Sequence, residues 1–354
     1  MVEYSFLDRI LHRIALQFTP IAELSFDIDQ KAGDHNVEQD RYTRHIFVSG
    51  LARAGTTILM RRIYASGAFC SLTYRNMPFV LAPKIWGKVA ARSQGDDSLS
   101  ERAHGDRILV GVDSPESLDE VFWRIFDGEN YITKTCLKPH LPAQDVTEKF
   151  AAYVSAILNA DSDGRRRYLS KNNNNILRLK AIRQTFPNAI TLIPFRDPIT
   201  HAGSLMRQHA NFLKQQKEDP FVQSYMTWLG HHEFGHDHRH FQFDREGQKR
   251  LSDLAPDGIE YWLEIWRQTY SWLLEHASDE DYFVCYEDLC SDPETWNRLA
   301  VICEIEDTDS SAESFVISNA KDDASADPSL LEEVSALYDR LVEASRSKIE
   351  RSKA

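Results

Sequence analysis

Residues 46–57 read Ile46-Phe47-Val48-Ser49-Gly50-Leu51-Ala52-Arg53-Ala54-Gly55-Thr56-Thr57, an apolar, β-prone run that passes directly into a glycine-bracketed loop. Gly50-x4-Gly55 followed by two hydroxyl residues is the spacing of a Walker-type loop, whose glycines let backbone N–H groups close around an anion. A nucleoside triphosphatase carries a lysine where Thr56 stands, reaching the terminal phosphates beside a hydroxyl on magnesium. Here the nearest cation is Arg53, inside the loop. The loop is therefore expected to hold an anionic nucleotide without magnesium-dependent hydrolysis.

A second unit of the same kind lies further on. Ala189 to Phe195 is apolar and β-prone, and Arg196-Asp197-Pro198 follows at once, with Ser204 eight residues after the arginine. A cation at a strand end and a hydroxyl in the first turns of the next helix can grip one phosphate, aided by the helix N-terminus. In order and spacing the two units resemble the sulfotransferases that use 3′-phosphoadenosine-5′-phosphosulfate (PAPS). That resemblance spans about residues 44–305 and implies a three-layer α/β sandwich with a central parallel sheet. It implies that Arg53, Ala54, Gly55, Thr56 and Thr57 bind the 5′-phosphosulfate, and that Arg196, Pro198 and Ser204 form the 3′-phosphate motif. Lys171 in Leu-Ser-Lys-Asn and the stretch Tyr286-Glu287-Asp288-Leu289 match the family as well. The Arg-Lys-Gly loop that closes over the 3′-phosphate in some members has no counterpart here.

The chain has 354 residues, 42% hydrophobic and 27% charged, the balance of a globular protein with a sizeable core. No run approaches the ~20 apolar residues that span a bilayer. No basic-then-apolar secretory signal is visible at the N-terminus. Cys70, Cys136, Cys285, Cys290 and Cys303 are scattered and form no Cys-x-x-Cys pair, which points to reduced thiols and a cytoplasmic setting. The net charge of −13 argues against nucleic acid as a partner. Against that background, eleven Lys or Arg fall between Arg165 and Lys217, with Asp197 the single acidic residue. Such a stretch either focuses a field on an anionic ligand or forms a solvated helical face.

Leu7, Ile10, Leu11, Ile14 and Phe18 have the spacing of an amphipathic helix over 4–18, expected to pack on the body or on a second subunit, which leaves a homodimer open. Residues 27–40 read as a polar linker, so residues 1–43 stand as an N-terminal helix and linker. An α/β domain then covers 44–305, and an acidic linker with a last helix covers 306–354. Within the domain, strands are expected at 45–49, 168–170, 189–195 and 282–285, alternating with helices, which implies parallel pairing. The irregular segment 69–113 is expected to wall a cleft, its aromatics (Phe69, Tyr74, Phe79, Trp86), with Phe122 and Trp123 beyond it, serving the acceptor pocket or the core. An insertion at about 218–258 contains His231, His232, His236, His238 and His240, which could ligate a metal or form a polar loop facing substrate or solvent. No metal is required by the chemistry below.

Sulfuryl transfer is an in-line displacement that needs positioning and positive charge more than covalent help. The resemblance implies PAPS as donor, 3′-phosphoadenosine-5′-phosphate (PAP) as product, and a hydroxyl or amine of a small molecule or carbohydrate as acceptor. The acceptor needs a general base. The family draws His or Glu from loops after the first helix, which makes His104, Asp113 and Glu116 the candidates, with Lys171 beside the acceptor. Two alternatives compete: a P-loop kinase or NTPase, opposed by the missing lysine, and a non-catalytic binder of 3′-phosphonucleotides.

Overall fold

Alternate residues of each long apolar run face opposite sides, and each side meets its own core. The computed structural model describes residues 5–33, 36–90, 100–101, 109–110, 114–306, 314–316 and 325–351. Its central sheet contains β1 (Ile46–Val48), β2 (Leu169–Lys171), β3 (Ile190–Phe195) and β4 (Asp281–Cys285), ordered β2-β1-β3-β4 with every pair parallel. Ile46, Val48, Ile190, Leu192 and Val284 enter one core with Leu59, Met60 and Trp296. Phe47, Ile193, Phe195 and Phe283 enter the other, with Phe122, Trp123, Phe150 and Tyr270. A sheet buried on both faces is why these strands read as continuous apolar runs rather than alternating ones.

Helices cover both faces: α1 (Phe6–His12), α2 (Thr19–Lys31), α3 (Thr56–Tyr64), α4 (Pro83–Ala90), α5 (Glu120–Tyr131), α6 (Gln144–Ala160), α7 (Leu179–Thr185), α8 (Pro198–Glu218), α9 (Pro220–Leu229), α10 (Ile259–His276), α11 (Pro293–Ile302) and α12 (Pro328–Arg351). This is the three-layer α/β architecture expected from the sequence. The strand order has one consequence for function. The connection leaving β1 runs to β2 on one side, whereas the connection leaving β3 runs to β4 on the other. A crevice therefore opens between the C-terminal ends of β1 and β3, where open α/β sheets bind ligands.

The expected linker at 27–40 is corrected: α2 runs through Lys31, and a further helical turn covers Val37–Arg41. Its polarity has a tertiary reason. Phe26 packs into the core edge-on to Phe122 and Phe126, while buried Asp29 accepts a hydrogen bond from the N–H of Ile85 at 2.8 Å, capping α4. At the other end, α12 buries Val334, Leu337 and Leu341 in the core that holds Phe195. The segment 218–258 is also more ordered than an irregular insertion, holding α9, a strand at His240–Phe241 and a helix at Arg245–Ser252.

The basic stretch 165–217 divides: Lys180, Arg207, Lys214 and Lys217 are exposed on helices, as a solvated face has them, while the arginines before Arg196 are tied into the fold. Arg165 pairs with Asp161, Arg166 with Asp40, Arg183 with Asp281, and buried Arg178 grips Glu120 through two bonds of 2.8 and 3.0 Å. These four arginines brace the fold through ion pairs. Arg196 is different, and it belongs to the crevice.

Candidate active site

The loop after β1 is short and sharply turned. Arg53 (φ 69°) and Gly55 (φ 93°) both adopt left-handed backbone, turning the chain sharply into α3. Gly55 caps α3 without offering a side-chain acceptor, so no cap side chain competes for the N–H groups of the first turn. A Cβ at Gly55 would lie 2.5 Å from Cδ2 of Tyr286, so both φ and packing demand glycine there. Ala54 is fully buried and Thr56 nearly so.

The loop after β3 meets it. Asp197 caps α8 by accepting from the N–H of Thr200 at 2.9 Å, and Pro198 supplies the fixed φ favoured in a first turn. One turn on, buried His201 reaches back to the carbonyl of Ala52 at 2.8 Å, and so must donate through Nε2. Burial pushes its pKa down to about 3, keeping the ring neutral and the loop held by a dipole rather than a charge. Arg196 donates to the carbonyl of Arg53 at 3.3 Å, and Arg53 Nε donates to Ser204 Oγ at 3.3 Å. Three of the residues expected to bind the nucleotide therefore converge, although 143 positions separate Arg53 from Arg196.

Tyr286 seals this corner. Its ring lies under the Arg196 guanidinium at 5.1 Å, and its hydroxyl donates to the carbonyl of Val316. Glu287 accepts from the N–H of Asp197 at 3.1 Å, tying the end of β4 to the second loop. The stretch 286–289 is thus a brace for both loops. Arg196 Nε is buried and makes no hydrogen bond within the described protein. A buried guanidinium nitrogen of this kind, close to a helix start without a side-chain cap, fits an anionic group such as a phosphate.

The other side of the crevice lies at the end of β2. Lys171 pairs with Val48 in register and is 8% exposed. Glu116 is held by the segment after α3: its N–H donates to the carbonyl of Leu72, and its carboxylate accepts from Tyr74 at 2.9 Å and from the N–H of Ser117 at 2.8 Å. His104 and Asp113 lie outside the described residues. Phe122 and Trp123 are core, both fully buried.

Sequence reasoning missed the role of the asparagines that follow Lys171. Asn172 donates to Glu120 at 2.7 Å, Asn173 donates to Glu233 at 3.0 Å, and Asn174 donates to the carbonyl of Gly230 at 3.2 Å. Asn173 and Asn174 dock the histidine-rich segment against the end of β2. There the histidines separate by partner. His231 faces Glu233, His232 faces Asp237, and His238 is half-buried against Trp262 and bonded to Tyr261. Among the described residues no three potential ligands converge as a metal site. Burial lowers the pKa of His238 to about 3. His231 goes the other way: burial alone would lower its pKa, but Glu233, aided by Glu116, raises it despite the opposing charge of Lys171. His231 is therefore within electrostatic reach of both candidate acceptor-side residues. No local pattern marks this convergence, because it depends on pairing across 60 positions.

A family profile described as "Sulfotransferase family" matches residues 45–254, more than half of the chain. Sulfotransferase STF1 of Mycobacterium tuberculosis superimposes with a TM-score of 0.44 at 15% identity, covering 99% of this chain and 86% of that one. Sulfotransferase STF9 of Mycobacterium avium gives 0.44 at 12% identity, covering 99% and 85%. A sulfotransferase from Alicyclobacillus acidocaldarius gives 0.38 at 13% identity, covering 87% and 96%. No curated protein matches the sequence significantly. Among the described residues, no helix is long and apolar enough to cross a membrane.

Proposed function

We propose, from the premise that the chain belongs to the sulfotransferase family and is a sulfotransferase, that its donor is PAPS and its acceptor a small molecule or carbohydrate bearing a hydroxyl or amine. The observation that carries the donor is the meeting of Arg53, Arg196 and Ser204 at the crevice, with Arg196 Nε buried and unbonded there. Bound PAPS supplies the sulfuryl group and departs as PAP.

The chain's own residues divide the work. The N–H groups of Ala54, Gly55, Thr56 and Thr57, the two threonine hydroxyls and Arg53 cradle the phosphosulfate end, where charge builds as the leaving group departs. Arg196 and Ser204 hold the 3′-phosphate, the feature that distinguishes PAPS from ATP. His201 and Tyr286 keep the two loops in register. Lys171 and Glu116 line the acceptor side, the region to which His104 is also assigned. No divalent cation is needed by this arrangement.

The other assignments follow the same reading. The catalytic unit is residues 44–305, flanked by an N-terminal pair of helices and a C-terminal helix. The five free cysteines suit a cytoplasmic enzyme. The N-terminal helices carry a row of outward apolar side chains, including Leu7 (75% exposed), Ile14 (38%), Leu24 (57%) and Ile28 (49%). Arg9 is held by Asp219 within the chain, but Arg13 accompanies the first half of this row and acidic Glu23 and Asp27 the second, so two copies crossing antiparallel oppose unlike charges. We assign this face to a homodimer contact.

The donor is tested by thermal shift with PAP against ADP plus magnesium, on the wild type and Arg196→Ala. A ligand selective for the native state stabilises it by about 2.7 kcal/mol at a hundred times its Kd. Stabilisation by PAP, lost in Arg196→Ala, is the expected result. Stabilisation by ADP–magnesium instead, or by neither nucleotide, overturns the reading.

A further inference from the structure

We propose that His231 is the general base of the transfer and that Glu233 is its positioning residue. The inference rests on the sulfotransferase reading and deepens it, because neither residue belongs to the anion loops.

The geometry begins with Gly230, which ends α9 in left-handed conformation at φ 77°. A Cβ there would meet Glu120 Cγ at 2.7 Å, so the turn is pressed against the buried Glu120–Arg178 pair. Its carbonyl is held by Asn174, and the N–H of His231 donates to the carbonyl of Met226 at 2.9 Å. The backbone that presents His231 is thus fixed from three sides. Nδ1 of His231 stands 3.5 Å from Glu233 Oε2, while Glu233 Oε1 accepts from Asn173 at 3.0 Å. Asn173 lies two residues beyond Lys171, so the strand end that carries the acceptor-side lysine also orients the glutamate. With Nδ1 turned to Glu233, Nε2 is the nitrogen left for substrate, and the histidine side chain keeps 20% exposure. A base oriented by a carboxylate that is itself hydrogen-bonded is a recurring catalytic arrangement.

Glu116 is less suited to the role. Both of its oxygens already accept, one from Tyr74 and one from the N–H of Ser117, so each is engaged by the protein before an acceptor hydroxyl arrives. Its charge acts on His231 alongside Glu233, opposed by Lys171. In the step itself, the acceptor O–H bond breaks and its proton passes to His231 Nε2. The acceptor oxygen forms the new O–S bond while the S–O bond to the nucleotide phosphate breaks, its electron pair leaving with PAP. The imidazolium then returns its proton to water. Because Glu233 holds the proton on His231 to higher pH than the ordinary 6.5, the base form is gained only as pH rises beyond that value.

The test uses the full chain and two kinds of readout. Imidazole ¹⁵N NMR on histidine-labelled protein follows His231, assigned by its loss in His231→Gln, through a pH titration of the wild type and Glu233→Gln. Release of PAP from PAPS with 2-naphthol as acceptor probe gives the rate, and PAP thermal shift reports the anion loops separately. The expected results are a His231 titration above 6.5 that moves to lower pH in Glu233→Gln, with the acid limb of the rate profile moving alongside. PAP release should fall about 100-fold or more in His231→Gln, and PAP stabilisation should persist in both variants. A His231 that titrates below 6.5, or that ignores Glu233→Gln, overturns the dyad, as does an undiminished rate in His231→Gln. Failure of PAP to stabilise the wild type would instead sink the donor reading and leave the NMR result to judge the dyad.

Discussion

Replacing Gly55 with alanine should damage the protein through two separable terms, and a double-mutant cycle can read both. The first term is backbone: at φ 93° an L-residue is strained by roughly 1–2 kcal/mol. The second is packing: the new methyl would sit 2.5 and 2.6 Å from two carbons of the Tyr286 ring. That ring cannot swing aside cheaply, because it is 7% exposed, stacked on Arg196 and tethered to Val316. Overpacking of this kind costs about 1–3 kcal/mol, so Gly55→Ala should cost roughly 2–5 kcal/mol in total. In a Tyr286→Ala background the packing term vanishes, and the same substitution should cost only about 1–2 kcal/mol. Urea unfolding of the four proteins measures the coupling directly. An equal cost in both backgrounds would refute the packing argument, and a cost under about 0.5 kcal/mol in the second would refute the backbone one. PAP thermal shifts on the same variants add a functional reading, since displacing Tyr286 also displaces Arg196.

Other consequences can be checked independently. Asp119 is buried against Ser170 and Tyr168, and burial pushes its pKa up from 3.8 to about 6. A carboxyl with a raised folded pKa binds more protons folded than unfolded, so stability falls as pH rises from about 4 to 6. The loss is about 3 kcal/mol at most, and Asp119→Asn should flatten it in pH-dependent urea titrations. Arg178→Met should cost roughly 3–5 kcal/mol by stranding Glu120, a penalty that Glu120→Gln in the same chain should partly relieve. Light scattering should report a dimer for the wild type and a monomer for Leu7→Asp with Leu24→Asp, at unchanged far-UV circular dichroism; a monomeric wild type would remove the homodimer contact.

The fold was legible because the information for it is local. Ile46 to Val48 and Ile190 to Phe195 are buried on both faces, so each reads as an unbroken apolar run, and each is followed by residues that can only mark a turn into a helix. Arg53, Gly55, Arg196 and Ser204 fall at spacings dictated by one loop and the first two turns of a helix, and such spacings survive in a bare sequence. Residues 27–40 misled for the converse reason. Asp29 is polar because it caps a different helix 55 positions away, and no window centred on it contains that helix.

The acceptor side had no such local signature, and the physics explains the asymmetry. Binding a phosphate takes backbone N–H groups, which only a particular turn can supply, so the sequence must spell out that turn. Accepting a proton takes one imidazole with one oriented partner, which any part of the chain can deliver if the fold brings it near. His231 stands among five histidines in ten positions, and composition alone cannot tell it from His238. Their surroundings do. His238 is packed on Trp262 with its charge suppressed, whereas His231 gains a half-buried carboxylate that Asn173 holds in place. Asn173→Ala therefore separates a structural histidine from a working one. If Glu233 orients His231, loss of the 3.0 Å bond should lower kcat and shift the imidazole titration while leaving PAP binding intact. If the segment is only packing, that substitution should lower stability by about 1–2 kcal/mol and leave the pH profile where it was.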